Sequence, residues 1–142
     1  MKSLLFQKNI LALLLFAFFN LPLLSAHGDE IATDPGVATD HFTVYGQSDK
    51  YELTLYYPPL IAGQEAHLTL FVADYHTNRP IDKADLKIST LENPAATFKV
   101  YPVSPGVYEL HAVFPENKHY TLNVQVAHPN GADLIGVKDV EV

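Results

Sequence analysis

The feature that most narrows what this chain can fold into is a hydrophobic period of two. Tyr51, Leu53, Leu55 and Tyr57 alternate with their neighbours, and Leu68, Leu70 and Val72 repeat the pattern. Leu86 with Ile88, and Phe98 with Val100, are shorter versions. The longest are Tyr108, Leu110, Ala112 and Phe114, followed by Tyr120, Leu122, Val124 and Val126. A Val-rich run occupies 135–142. Successive side chains of a strand point to opposite faces, so each stripe predicts a strand with one face buried. Turn formers stand between the stripes: Pro58-Pro59, Gly63, Asn78 with Pro80, Pro94, Pro105-Gly106 and Asn130-Gly131. No stretch offers a capped helix longer than about two turns, which argues against a βαβ architecture. The expected fold is all-β, an immunoglobulin-like antiparallel sandwich of about seven or eight strands. Within it, 108–114 and 120–126 are expected to pair as a hairpin across residues 115–119, because that register keeps both stripes on one face.

The chain begins differently. Lys2 and Lys8 precede and flank an apolar run over 10–19, which is followed by Pro22 and by Ser25-Ala26. This is the pattern of a cleaved signal peptide over residues 1–26, and its apolar stretch of about 15 residues is shorter than the roughly 20 a spanning helix needs. Export to the periplasm is expected, with secretion as the alternative, and no transmembrane span remains after cleavage. Residues 27–40 (HGDEIATDPGVATD) mix acids, glycine and proline with no apolar period, and are expected to form a flexible acidic leader. Residues 41–142 are then one domain, large enough to bury a core.

Charge and composition exclude several functions. The 142 residues hold 9 Lys+Arg against 16 Asp+Glu, a net charge of −7, and the signal segment carries only bases. So acidic a chain has no electrostatic footprint for nucleic acid. The absence of cysteine removes disulfides, thiolate metal sites and thiol nucleophiles. Ser48, Ser89 and Ser104 stand in no nucleophile-elbow motif, and there is no phosphate-cradling glycine loop and no His-Glu-x-x-His. Carboxylates such as Asp82, Asp85 and Glu116 read as a solvated surface. A non-catalytic protein is expected.

Histidine is the residue type that points to chemistry. The seven are His27, His41, His67, His76, His111, His119 and His128. No two are spaced i, i+2 or i, i+4, so no preformed cluster is expected, and His67 and His111 read as exposed strand residues. His27 is distinctive. Cleavage after Ala26 would make it the first residue, whose amine and Nδ1 form a chelate suited to Cu(II). Asp29 adds a carboxylate and His41 a second imidazole. His27, Asp29 and His41 are therefore the candidate ligands for Cu(II) or Zn(II). Tyr56, Phe71 and Tyr75 are the candidate partner surface, since Tyr56 and Phe71 alternate out of their apolar stripes.

The segment over 42–72, with its Tyr51-Glu-Leu, Pro58-Pro-Leu and Gly63-Gln, resembles a known family when taken with Asn78-Arg-Pro-Ile-Asp82 and Ser104-Pro-Gly-Val-Tyr108. That family is the N-terminal immunoglobulin-like domain of periplasmic adaptor (membrane fusion) proteins in heavy-metal resistance–nodulation–division (RND) efflux systems. A looser similarity runs to YtkA-like and CopC-like periplasmic sandwiches. The resemblance implies a binding module in metal efflux or tolerance, with RND pump or adaptor components as partners. Such adaptors continue into further modules beyond the point where this chain stops, so either a free-standing protein or a fragment is expected. The alternatives are a CopC-like Cu(II) carrier using His27 and a purely structural sandwich.

Overall fold

The computed structural model describes residues 40–142. The expected signal peptide, nearly all of the leader, and His27 and Asp29 lie outside the described residues. Eight strands follow one another: β1 (Phe42–Gln47), β2 (Tyr51–Tyr57), β3 (Glu65–Asp74), β4 (Asp85–Ser89), β5 (Thr97–Ser104), β6 (Val107–Val113), β7 (His119–His128) and β8 (Gly131–Glu141). They form a five-stranded sheet in the order β1-β2-β3-β6-β5 and a three-stranded sheet in the order β4-β7-β8, antiparallel throughout. Strands β2-β3-β6-β5 opposite β4-β7-β8 reproduce the constant-type immunoglobulin arrangement, and β1 is an additional strand on the outer edge of β2. The expected all-β sandwich is what forms. Among the described residues no helix is long and apolar enough to cross a membrane.

The stripes read from the sequence supply the core. Tyr51, Leu53, Leu55 and Tyr57 of β2 and Leu122, Val124 and Val126 of β7 belong to one buried cluster with Leu68, Leu70, Tyr108 and Leu110. Two tyrosines pin the sheets at opposite ends. The Tyr51 hydroxyl donates to the Gly131 carbonyl at 2.6 Å, and the Tyr57 hydroxyl accepts from the Glu141 amide at 3.2 Å. Burial pushes both phenols above their ordinary range. Strand β1 closes against β8 at Gly46, where a Cβ would stand 2.8 Å from the Gly136 carbonyl oxygen. Only glycine permits that approach.

The expected hairpin between 108–114 and 120–126 does not form. β6 pairs with β3 and β5, whereas β7 pairs with β4 and β8 in the other sheet. Both stripes do point into one core, but from opposite sides of it. The crossing at 115–119 is held by the Tyr120 hydroxyl, which donates to the Glu116 carbonyl at 3.1 Å, and by the Gly63 amide, which donates to the Phe114 carbonyl at 2.7 Å. A tyrosine opening this strand and bonding back to the corner is an immunoglobulin-fold device. Near the end of β8 the period slips as well. Asp139 sits at φ 61° in a bulge, so Val137 and Val140 both point inward.

Candidate metal centre

Because inner positions are committed to the core, the chemistry of the five-stranded sheet lies on its outward face. β3 turns Glu65, His67, Thr69 and Phe71 outward, and β6 turns Glu109, His111 and Val113 outward. The antiparallel register then does what sequence spacing does not. It places His67 directly opposite His111, with Leu68 opposite Leu110 beneath them. Side chains directly opposite on one face are close neighbours. The two imidazole rings lie 4.0 Å apart between centroids. The expectation of no preformed histidine cluster is therefore overturned. The pair is 44 residues apart in sequence, and only strand pairing joins it.

Carboxylates complete the group. Glu109 Oε1 lies 2.6 Å from His67 Nδ1 and 3.1 Å from His111 Nε2. These two hydrogen bonds, His67 first, hold the Glu109 carboxyl below the usual range. With an N–H of each ring donating to Glu109, His67 Nε2 and His111 Nδ1 remain as basic nitrogens. Glu65 Oε1 stands 3.8 Å from that Nδ1. One donor atom from each of Glu65, His67 and His111 lies within 4.8 Å of the others. Tetrahedral ligands on zinc at about 2.05 Å are about 3.3 Å apart, so rotamer adjustments that bring the donors together by up to about 1.5 Å close the set. Half-exposed side chains make such adjustments readily, and His67 is 58% exposed.

The donors are two imidazoles and a carboxylate, with a second carboxylate orienting both rings. This nitrogen and oxygen set suits Zn(II) or Cu(II), and a carboxylate behind a ligating histidine fixes ring orientation and raises basicity. Tyr101 of β5 packs against His111 at 4.7 Å between centroids and helps hold the ring. Lys99, directly opposite His111 on β5, is the one adverse neighbour in this row.

The residues singled out from the sequence fall in different places. His41 immediately precedes β1, and its ring stacks on Tyr56 at 4.5 Å with a 6° interplanar angle. It belongs to the same outer face but not to the Glu65–His67–His111 group. Tyr56 and Phe71 are exposed on this face as expected, and Tyr45 and Tyr101 join them. Tyr75 does not. It belongs to the turn after β3, beside His76, where Asp74 accepts from the His76 and Thr77 amides and the Thr77 hydroxyl. His119 and His128 open and close β7 in the other sheet. No protein-family model, curated protein or solved structure matches this chain.

Proposed function

We propose that this chain is a non-catalytic, exported immunoglobulin-like module of metal tolerance. It captures a divalent ion of the Zn(II) or Cu(II) type on the outer face of its five-stranded sheet. The observation that carries the reading is the cross-strand pair of His67 and His111, with Glu109 bonded to both rings and Glu65 beside them. Nothing about a sandwich core requires these residue types at outward positions. The export pattern of residues 1–26 and the resemblance to heavy-metal RND adaptor domains support placing this capture in the periplasm, near efflux components. The exposed Tyr56 and Phe71 supply a surface for a protein partner on the same face.

The test is calorimetric titration of the exported protein with Zn(II) and Cu(II). Three samples are compared: the protein beginning at His27, the same protein with one alanine ahead of His27, and His67→Ala/His111→Ala. Binding that survives the added alanine and weakens at least a hundredfold in the double variant assigns the ion to the sheet. Binding lost only on alanine extension assigns it to His27 and rejects the sheet site. Affinity should rise with pH, because imidazole ligates only after losing its proton.

A further inference from the structure

We infer that the ion is shared: a divalent cation joins two copies of this chain face to face through their five-stranded sheets. The inference rests on the sheet-face metal site proposed above.

The geometry of the site leaves it half complete. All of its donors rise from one side of a sheet, so the ion's far hemisphere is unfilled by the chain that holds it. A second copy, turned by a two-fold axis lying between the faces, brings its own His67 and His111 onto the same spot, as self-complementary contacts do. Packed sheets stand about 10 Å apart, which leaves about 5 Å from each sheet to the ion. An imidazole with a metal bond of about 2 Å spans that gap. In the dimer the partner's two imidazoles take the place of the Glu65 carboxylate, so four imidazoles, two from each chain, make a closed tetrahedral set, with Glu109 of each chain behind its own pair.

Area and charge explain why the ion is required. Five strands about 4.8 Å apart, each presenting about six residues at about 3.3 Å, give a face of about 500 Å² per copy. Stable complexes bury about 800 Å² per partner, so this face alone supports only a weak association. It is nevertheless well furnished for one, with Tyr45, Tyr56, Phe71 and Tyr101 each at least 41% exposed on it. Opposing it is the like charge of two acidic chains, concentrated where Glu65 and Glu109 of both copies meet. A divalent cation at that point removes the repulsion and supplies the missing attraction. The metal-free chain is therefore monomeric, and the metal-loaded chain dimeric.

The experiment is sedimentation velocity on the exported protein, metal-free and then with Zn(II) added as the metal alone, paired with zinc analysis of the separated species. The expected result is a doubling of mass at one zinc per two chains, reversed by a chelator. Phe71→Glu, which lies outside the ligand set on an exposed position, should still take up zinc while dimerising at least tenfold more weakly. Zinc bound one per chain without a mass change overturns the dimer, leaves the metal site standing and frees the face for a different partner. A zinc-induced dimer that persists in His67→Ala/His111→Ala, or is unaffected by Phe71→Glu, also overturns it. Absence of zinc binding altogether removes both the dimer and the site beneath it.

Discussion

The sandwich has two outward faces, and they have little in common. On the three-stranded sheet the outward positions include Lys87 and Ser89 of β4, Thr121, Asn123 and Gln125 of β7, and Leu134 and Gly136 of β8. On the five-stranded sheet they include four exposed aromatic rings, two touching histidines and the carboxylates around them. Both faces are products of the same period-two rule, and the core constrains neither. An antiparallel sheet needs only its inner residues to be apolar, so what accumulates outside is free to answer to something other than folding. The polar face is what solubility asks for. The aromatic and histidine face exceeds that requirement, and the excess is the basis for locating function there.

The contrast can be broken first at β6, where Leu110 and His111 are adjacent and point opposite ways. Leu110→Ala should cost about 2–5 kcal/mol in urea unfolding, by lost burial and the cavity left behind. His111→Ala should change stability by about 0.5 kcal/mol or less while abolishing most zinc affinity. Equal stability losses in the two variants would mean that the outer face is structural too. Next in size is the crossing between the sheets. Tyr120→Phe deletes the bond to the Glu116 carbonyl and should cost about 1 kcal/mol without altering metal uptake.

A smaller effect tests the field around the proposed ion site. Lys99→Ala removes a cation opposite His111 and should tighten Zn(II) binding by about threefold, on the order of 0.5–1 kcal/mol, at low salt. The same change at Lys87, on the other face, should leave affinity unchanged. The smallest effect compares two carboxylates. Glu92 serves structure: it accepts from the Thr90 hydroxyl and, at 3.0 Å, from the Thr121 amide. The Thr90 bond chiefly depresses its pKa from 4.5 to about 2. A depressed carboxyl stabilises the fold fully above its unfolded value and loses that contribution as pH falls through the folded one. Glu92→Gln should therefore flatten the stability profile between pH 4.5 and about 2, modestly because the group is exposed. Glu109, held below the usual carboxylate range by its bonds from His67 and His111, follows the same sign, so Glu109→Gln should also flatten the acid limb and, unlike Glu92→Gln, should weaken metal binding.

Much of the core was legible in the chain because burial writes itself as alternation. Tyr51 to Tyr57 and Tyr120 to Val126 point inward as their period demands. Alternation states which face a residue occupies but not which strand lies beside it, and residues 115–119 could serve a hairpin or a crossing equally well. The crossing is decided by a hydroxyl and two carbonyls, which leave little trace in a hydrophobic pattern. The bulge at Asp139 shifts the inward positions for the same kind of local reason. The histidine pair was hidden more completely. Searching for histidines two or four apart finds contacts within one strand, whereas His67 meets His111 across two. The signal was present in a different form: with β3 set beside β6, aligning Leu68 with Leu110 puts the histidines opposite each other.

The seam at Gly46 has a consequence for the order in which the molecule can be made. The strand carrying it is the first of the sandwich to leave a ribosome, and the backbone it rests on, at Gly136, comes 90 residues later. β1 can pair early with β2, but its inner side has nothing to close on until β8 arrives. Such long-range closure is slow compared with local pairing. Until then the nascent domain waits with one seam open, and a bulkier residue at position 46 would keep it open after the last strand had come.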